Sequence, residues 1–369
     1  MIAQLGMNLK ASAGGVDRYF SGLNNALVRQ GVRVTAYGFG DSEKAACLGP
    51  ANKPLMQRWK AVREAVVPRR GRLLASHFAL YALPALLGRR WDGHVVHFHG
   101  PWASESQREG GRMHTVMCKR MLERAVYNRA DRFIVLSKAF RDQLCQGYGV
   151  PAERVHVIPG GVETDAFQPL DVVEARQRML WPQKQKIIVC VRRLARRMGL
   201  ETLIEAFGQV TVQHPDVKLM IGGQGPLRAE LEQQVLRAGL SKSVEFLGFI
   251  PEATLPTVYA AADLSIVPSS ALEGFGLISL ESLACGTPVL VTPVGGLPDT
   301  VEGLGEDLVL KGTSTEHIAD GLSRWLDGTL RLPTREACRE HVMKSFTWDR
   351  IAKQVCEVYR EAGWRPQTS

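Results

Sequence analysis

The sequence predicts an α/β protein made of two doubly wound parallel sheets, each in a domain of its own. Short apolar runs alternate with amphipathic stretches along the chain, which is the pattern of successive βα units. A length of 369 residues is sufficient for two full-sized hydrophobic cores. The turn-rich segment 158–171, IPGGVETDAFQPLD, lies near the middle of the chain and is predicted to connect the two domains.

The first half of the chain follows the alternation with some irregularity. We predict a first strand in the N-terminal run MIAQLGM and a helix from Asp17 to Gln30, with Gly14 and Gly15 in the loop between them. Later apolar runs with the length of strands occur at 32–39, 73–78, 94–100 and 132–137. The first domain is therefore expected to contain a parallel sheet of its own.

In the second half, strands and helices follow one another closely. Strands are predicted at 186–192, 217–223, 244–249, 264–269 and 288–293. Helices are predicted at 200–213, 226–239 and 252–262, and a further one ends near Gly286. Ligands of such sheets bind beyond the carboxyl ends of the strands. The candidate site residues at those ends are Arg193, Gly222, Gly223, Gly248 and Glu273.

The segment EGFGLISLE, residues 273–281, is the most informative motif for function. Gly274 and Gly276 precede apolar residues with helical spacing, so a helix is predicted to begin just after them. The unpaired amides of a helix N-terminus attract phosphate, and glycine lets phosphate approach the backbone closely. With Glu273 beside the phosphate and Glu281 on the helix, the segment is typical of a nucleotide-sugar site. The alternative reading is an ordinary helix N-terminus with a surface glutamate.

The sequence of this segment resembles that of the retaining glycosyltransferases of family 4, which have the GT-B fold. The resemblance extends over most of the chain in the family's order, through the segments Gly14-Gly15, HFHGPW with His99, 158–167, VRRLARRMGL with Arg193, IGGQGPL at 221–227, LGFI at 247–250 and 346–359. It implies two Rossmann-like domains facing a central cleft. The N-terminal acceptor-binding domain would be 1–167, completed by helices in 346–369, and the nucleotide-sugar-binding domain would be 168–345.

The resemblance also implies roles for individual residues. Glu273 would lie beside the donor sugar, Arg193 would face the diphosphate, and His99 would bind hydroxyls of the transferred sugar. We therefore expect catalytic roles for Glu273, His99 and Arg193. Donor-binding roles are expected for Gly14, Gly15, Arg193, Arg197, Gly223, Gly248, Ile250, Glu273, Gly274, Phe275, Gly276, Leu277 and Glu281. His77 and His97 are expected to be structural.

One position departs from the family pattern. The family's usual motif has a lysine five residues after the arginine that corresponds to Arg193, and this chain has Met198 there. Arg197 is the candidate that we expect to replace the missing charge, because its planar guanidinium can bind two phosphate oxygens. The alternative is that the arginines around position 198 form a solvated surface.

The expected activity is transfer of a hexosyl unit, with retention, from a UDP- or GDP-sugar to a saccharide or lipid-linked acceptor. Front-face attack is favoured over double displacement, because no second carboxylate forms an obvious acid–base pair with Glu273. No Asp-x-Asp pair suits a divalent ion, so neither a metal nor a cofactor is expected. A sugar-nucleotide epimerase and a non-catalytic nucleotide-sugar-binding protein remain open. A nicotinamide oxidoreductase is disfavoured because GxGxxG is missing after the first strand.

Charge is distributed unevenly between the two halves. The first 168 residues contain 24 Lys and Arg against 13 Asp and Glu, although the net charge of the whole chain is only +9. Residues 57–72 concentrate positive charge and place Trp59, Val62, Val66 and Val67 at helical spacing. Such a helix can lie on an anionic membrane surface through its six basic residues, Arg58, Lys60, Arg63, Arg69, Arg70 and Arg72. Packing of the stripe on its own domain is the alternative.

The remaining composition favours a cytoplasmic protein that is at most peripheral on the membrane's inner face. No apolar run reaches the roughly 18 residues of a membrane-spanning helix, and the N-terminus lacks the pattern of a signal peptide. Seven scattered cysteines without a CxxC pair predict neither a disulfide framework nor a zinc site. The basic stretches lack an aromatic stacking pattern, so nucleic acid is not an expected partner.

Overall fold

A computed structural model of the chain describes residues 1–9, 14–40, 46–68, 72–108 and 110–366. These residues form two compact units. Unit 1 contains residues 1–161 and 348–369, and unit 2 contains residues 162–347. The sequence analysis placed the boundaries at 167 and 346. The difference arises because Val162 pairs with Thr347 in a parallel bridge, which keeps both connecting segments in unit 2.

The sheet of unit 1 is parallel and comprises seven strands in the described residues, in the order β3-β2-β1-β4-β5-β6-β7. The strands are β1 (Ile2–Asn8), β2 (Val34–Phe39), β3 (Ala46–Cys47), β4 (Leu73–Ser76), β5 (Gly93–Phe98), β6 (Arg132–Val135) and β7 (Val155–Val157). The helices are α1 (Gly15–Arg29), α2 (Leu55–Ala65), α3 (Ala79–Leu86), α4 (Trp102–Arg108), α5 (Met113–Tyr127) and α6 (Lys138–Tyr148). The strand order reverses between β1 and β4, so the segments after these strands lie at the topological switch point.

The sheet of unit 2 is parallel too, in the order β10-β9-β8-β11-β12. Its strands are β8 (Ile187–Val191), β9 (Lys218–Gly222), β10 (Val244–Gly248), β11 (Leu264–Val267) and β12 (Val289–Val291). The helices are α7 (Val172–Met179), α8 (Leu200–Thr211), α9 (Arg228–Arg237), α10 (Leu255–Ala261), α11 (Leu277–Ala284), α12 (Leu297–Val301), α13 (Thr315–Leu326) and α14 (Arg335–Ser345). The order reverses between β8 and β11, which brings the loops after these two strands together.

The chain returns to unit 1 as the last helix, α15 (Trp348–Glu361), which packs against α1. Close packing is possible because Gly22 of α1 has no side chain. A Cβ there would lie 2.3 Å from the Trp348 ring. Tyr359 is fully buried, and its hydroxyl receives a hydrogen bond from Gln4 of β1 at 2.9 Å. The C-terminal helix thus completes the core of the first unit.

The helix predicted at 57–72 differs from the expectation. Helix α2 ends at Ala65, and Val62 and Val66 are fully buried in the core of unit 1. Trp59 packs against the same core. The apolar stripe therefore packs in the core of unit 1, and the prediction that it faces a membrane is wrong.

Three of the basic residues counted in that stretch also make internal bonds. Arg63 donates to the Leu87 carbonyl at 3.0 Å. Arg58 donates to the Tyr81 hydroxyl. Arg72 is buried and donates to the Tyr37 hydroxyl at 2.7 Å and to the Val67 carbonyl at 2.9 Å. The two further arginines expected to contribute, Arg69 and Arg70, lie outside the described residues.

Across the described ranges, no helix has both the length and the apolar character needed to cross a bilayer.

Candidate active site

Glu273 lies in the loop between β11 and α11, where the sequence predicted it. Its carbonyl oxygen accepts a hydrogen bond from the Gly296 amide at 3.1 Å. At Gly295, which has a φ of +59°, a Cβ would lie only 1.8 Å from that same carbonyl oxygen. Only glycine permits this approach, so the loop before α12 fixes the backbone that carries the Glu273 carboxylate.

The Glu273 carboxylate is paired with an arginine that sequence reasoning did not assign to the site. Nη2 of Arg192 lies 2.6 Å from Oε2 of Glu273, and the Ser269 hydroxyl donates to the same oxygen at 3.2 Å. Arg192 is only 8% exposed. A buried charge needs a charged partner, so Arg192 and Glu273 form an ion pair in which Arg192 stabilises the ionised form of Glu273. The sequence contains no local pattern that predicts this ion pair, because its two members are 81 residues apart.

The position of the missing lysine lies next to the same guanidinium. Nη2 of Arg192 is 2.7 Å from the sulfur of Met198, which is itself buried. The second terminal nitrogen, Nη1, is buried and has no hydrogen-bond partner among the described residues. A cation is therefore present beside position 198, although the residue there is a neutral thioether.

The environment keeps Glu273 ionised. Burial raises the pKa of the carboxyl group, but the charge and hydrogen bond of Arg192, the charge of Arg197 and the Ser269 hydroxyl outweigh burial, so its pKa lies below the ordinary value. The carboxylate is consequently negative at neutral pH. It cannot serve as a general acid there, and its pairing with Arg192 makes it a weak base.

Arg193 and Arg197 occupy different environments after β8. Arg193 is exposed, whereas Arg197 is partly buried and donates from Nη1 to the Leu272 carbonyl at 3.0 Å. The Arg197 carbonyl accepts hydrogen bonds from the Ser270 amide and hydroxyl at 3.0 and 3.2 Å. Leu272 has a φ of +50°, which is strained for a non-glycine residue. Arg197 thus holds the loop that precedes Glu273 in this strained form.

Helix α11 begins where the glycine-rich segment predicted. Gly276, with a φ of +90°, is its N-cap, and a side chain there would meet Leu297 of α12 at 2.4 Å. The first amides of the helix lack partners within the helix, so they offer hydrogen bonds to an anion. The Phe275 side chain is buried against Phe346, which leaves its backbone for a ligand.

Glu281 is buried in α11. Its carboxylate accepts a hydrogen bond from the Tyr259 hydroxyl at 3.4 Å.

The loops after β8, β9 and β10 are joined by backbone hydrogen bonds. The amide of Arg192 donates to Gly222 at 2.8 Å, and the amide of Gly223 donates to Gly248 at 2.7 Å. Ile250 packs over Gly222, which has no side chain to obstruct it. The predicted donor-binding positions Gly223, Gly248 and Ile250 therefore lie at the carboxyl edge of the unit 2 sheet, on the side of β8 away from β11.

Unit 1 contains a connected group of polar aromatic side chains at the ends of its central strands. His99 follows β5, and its Nε2 lies 3.0 Å from Nδ1 of His77, which follows β4. His77 contacts the Gln4 amide oxygen through Nε2. His97 stacks on His77 with centroids 4.2 Å apart and contacts the Tyr359 hydroxyl at 2.7 Å. The expectation that His77 and His97 are structural agrees with their complete enclosure.

These contacts fix which nitrogen of each ring carries the proton. An amide oxygen only accepts, so Nε2 of His77 donates to Gln4 and Nδ1 of neutral His77 is an acceptor. His99 therefore donates from Nε2 to His77, and its own Nδ1 is left as an acceptor. Burial lowers the pKa of His99 to about 3, so the ring is neutral at physiological pH. Such a ring can receive a hydrogen bond from a sugar hydroxyl.

The buried histidines predict a loss of stability in acid. Burial lowers the pKa of His94 to about 4 and of His99 to about 3, from an unfolded value near 6.5. Their contribution is complete above about pH 6.5 and is lost as the pH falls toward the folded values. We expect urea unfolding to show a falling free energy of unfolding between about pH 7 and pH 5. In a His94→Asn variant the free energy of unfolding should fall less steeply with pH, by the slope that corresponds to about one bound proton. An equal fall in both proteins would contradict this assignment.

Gly14 and Gly15 lie at the start of α1, with Gly14 as its N-cap. The Gly14 backbone is extended, and its carbonyl accepts from Arg18 at 3.0 Å. Nearby, the buried Asp17 carboxylate accepts from the Asn8 amide at 3.2 Å, and burial raises the pKa of this group. The loop residues before Gly14, 10–13, are outside the described residues. In the described parts of the chain, no three His, Cys, Asp or Glu side chains group as metal ligands.

Comparison with known sequences assigns both halves of the chain to related groups. Residues 13–166 match the family described as Glycosyltransferase Family 4, and residues 171–344 match Glycosyl transferases group 1. The chain belongs to the family 4 glycosyltransferases. Its parallel sheets and helices have the GT-B fold class expected from the sequence. Acceptor binding by the N-terminal domain and nucleotide-sugar binding by the C-terminal domain stay predictions.

The relatives and structural neighbours of the chain agree with that family. It is 34% identical to the D-inositol 3-phosphate glycosyltransferase of Corynebacterium jeikeium over 254 residues, 66% of this chain and 60% of that protein. It is 29% identical to a GDP-mannose-dependent alpha-(1-6)-phosphatidylinositol monomannoside mannosyltransferase of Mycobacterium tuberculosis over 249 residues, 65% of this chain and 64% of that protein. The chain thus spans about three fifths of the length of these curated relatives.

Solved structures match the chain over nearly its whole length. Sucrose-phosphate synthase from Thermosynechococcus elongatus has a TM-score of 0.81 and 26% identity, covering 98% of both chains. The Anabaena protein Alr3699/HepE in complex with UDP and glucose has a TM-score of 0.78 and 22% identity, covering 98% of this chain and 99% of that one. The second likeness concerns the fold alone.

Proposed function

We propose that the chain is a retaining hexosyltransferase that moves a sugar from a UDP- or GDP-sugar to a saccharide or lipid-linked acceptor in cell-surface polysaccharide, lipopolysaccharide or glycolipid synthesis. The observation that carries the proposal is the ion pair of the buried Arg192 and the partly buried Glu273 at the switch point of unit 2, next to the glycine-rich start of α11. This arrangement offers a carboxylate for developing positive charge and a cation for developing negative charge, only a few ångströms apart.

The diphosphate is the leaving group, and its negative charge grows as the bond to the anomeric carbon breaks. We assign Arg193 and Arg192 to that charge, together with the first amides of α11. Nη2 of Arg192 donates to Glu273, whereas Nη1 has no partner among the described residues and can therefore donate to a phosphate oxygen. Arginines and amides can stabilise the charge without a divalent ion, so we propose that no metal is required.

Glu273 would act on the sugar. An ionised carboxylate stabilises positive charge at the anomeric carbon and orients neighbouring hydroxyls. In front-face transfer, the bond from the anomeric carbon to the diphosphate breaks, the acceptor oxygen bonds on the same face, and the acceptor proton moves to a departing phosphate oxygen. The lowered pKa of Glu273 and its pairing with Arg192 make it a weak nucleophile, which favours this route over double displacement.

The acceptor is proposed from the relatives and from the charge of the first half. Two of the relatives are a D-inositol 3-phosphate glycosyltransferase and a phosphatidylinositol monomannoside mannosyltransferase. For this chain we propose an anionic, lipid-linked acceptor that is bound by unit 1, and we propose that His99 binds sugar hydroxyls. A cytoplasmic enzyme at the inner membrane face would meet such an acceptor.

Met198 is the observation that favours a second candidate, a non-catalytic protein that binds nucleotide sugars. A missing diphosphate cation would weaken catalysis more than binding. The position of the Arg192 guanidinium beside Met198 argues against this alternative, because the charge lost at position 198 is present in the same place. A GT-B epimerase differs from both in its product.

A panel of UDP- and GDP-sugars separates these functions. We expect one donor to be hydrolysed slowly in the absence of acceptor, with release of free nucleotide, because a transferase site admits water in place of the acceptor. Liquid chromatography would follow nucleotide, sugar and any epimer, and the Glu273→Gln variant is the control. An epimerised product would indicate an epimerase. Tight nucleotide binding without turnover of any donor would indicate the binding protein.

A further inference from the structure

Helix α5 of unit 1 carries an exposed apolar stripe. Met113, Met117 and Met121 follow one another at intervals of four residues, and their exposed fractions are 69%, 63% and 66%. Residues four apart lie above one another on a helix, so the three side chains form a continuous strip. The opposite face of α5 is buried through Val116, Val126 and Tyr127 and needs no further partner.

The charges beside this stripe have one sign. Arg120 and Arg124 lie three residues after Met117 and Met121, and both are exposed. Arg112 at the N-cap is exposed too. The single acidic residue of α5, all of whose residues are described, is Glu123, which is buried and accepts from the Tyr148 hydroxyl at 2.7 Å. Exposed methionines beside cations, with no exposed acidic residue on the same helix, complement a surface with an apolar interior and anionic heads.

The stripe is connected to the predicted acceptor end of unit 1. Helix α4 begins three residues after His99, and α5 packs against it. Nζ of Lys119 lies 4.5 Å from the Trp102 ring centroid and donates to the Ser106 hydroxyl at 2.8 Å. A surface that bound to α5 would therefore lie close to the chain segment that leaves His99.

We propose that the face of α5 formed by Met113, Met117, Met121, Arg120 and Arg124 docks on an anionic lipid bilayer. The methionines insert among the acyl chains near the headgroups, and the arginines bind lipid phosphates. This inference deepens the proposed function and rests on it for the lipid-linked acceptor. It replaces the docking surface expected at 57–72, whose apolar side chains are used by the core of unit 1.

Flotation with vesicles tests the proposal. The full chain would be mixed with vesicles of phosphatidylcholine alone, or of phosphatidylcholine and phosphatidylglycerol, at low and high salt. We expect recovery with the anionic vesicles, reduced at high salt because exposed charges are screened over about 8 Å at physiological ionic strength. The triple variant Met113→Gln, Met117→Gln, Met121→Gln should lose recovery roughly tenfold at both salt concentrations. The pair Arg120→Gln, Arg124→Gln should lose mainly the preference for anionic vesicles.

A matched control replaces three exposed apolar residues of unit 2, as Val173→Gln, Val212→Gln and Leu236→Gln. This control should float like the original chain. Nucleotide binding and donor hydrolysis are measured on each variant, and we expect them to be unchanged. If the original chain hydrolysed no donor but still floated with anionic vesicles, the proposed function would be refuted and the docking proposal would be supported.

Three results would overturn the docking proposal. The first is failure of the original chain to bind anionic vesicles, and the second is undiminished recovery of the methionine variant. The third is a concentration-dependent dimer, measured by light scattering, that the methionine substitutions abolish, because α5 would then cover a second copy of the chain.

Discussion

The Glu273→Gln variant should turn over a confirmed donor about a hundredfold or more slowly, with little change in nucleotide affinity. The amide keeps the size of the carboxylate and can still accept a hydrogen bond from Arg192, so the loop is preserved. What it lacks is the negative charge that stabilises the developing positive charge on the sugar. Steady-state kinetics with the donor, combined with calorimetric binding of the free nucleotide, separates the two effects.

Two further glutamates provide controls for that result. Glu281→Ala should mainly weaken nucleotide binding, because the resemblance to the family implies a donor-binding role for this residue. Glu245→Gln removes an exposed carboxylate of β10 and should change neither quantity. Near-native turnover of Glu273→Gln would show that the charge of Glu273 is not used in the reaction.

The Arg192→Ala variant should lose about 2–4 kcal/mol of transition-state stabilisation, the range for removal of one preorganised donor. It should also unfold more readily, because removal of Arg192 leaves the partly buried Glu273 carboxylate without its ion-pair partner, at a cost of up to about 3–5 kcal/mol. Without Arg192 the pKa of Glu273 rises, so the acidic limb of the pH–rate profile should move to higher pH. Kinetics across pH and urea unfolding measure these changes.

A second substitution distinguishes a charge effect from a folding effect. Met198→Lys in the Arg192→Ala background should recover part of both losses, because a cation returns to the place now held by the Arg192 guanidinium. Met198→Leu should be nearly silent. Arg197→Ala tests the residue first expected to replace the lysine, which bonds to the Leu272 carbonyl and holds the loop. If Arg192→Ala is silent while Arg197→Ala is severe, the assignment to Arg197 is correct and ours to Arg192 is not.

Much of the fold was predictable because its signals are local. Buried parallel strands such as β8 and β9 are short, nearly continuous apolar runs, and amphipathic helices separate them. The ends of elements differ from the prediction by a few residues, since hydrogen bonding and not hydropathy sets them. Helix α2 was extended too far because the basic composition continues past Ala65, whereas the described backbone at 66–68 is not helical.

The candidate site was predictable only where one segment holds the information. The glycines and glutamate of 273–276 lie together in sequence, so their role at the start of α11 could be inferred directly. The partner of Glu273 could not, because Arg192 and Arg193 are adjacent and nothing in their order tells which is buried. Both residues follow the end of β8, where the path of the loop decides their burial, and the fold buries Arg192 and exposes Arg193.

The central claim is retention through a site built on Glu273 and Arg192, and the anomer released by donor hydrolysis tests it most directly. Proton NMR can follow the first sugar released from an α-linked UDP- or GDP-sugar, before mutarotation mixes the anomers. Our account predicts that the α-anomer appears first with the unmodified chain and that its release is strongly reduced in Glu273→Gln. First release of the β-anomer, or release unaffected by the substitution, would contradict it.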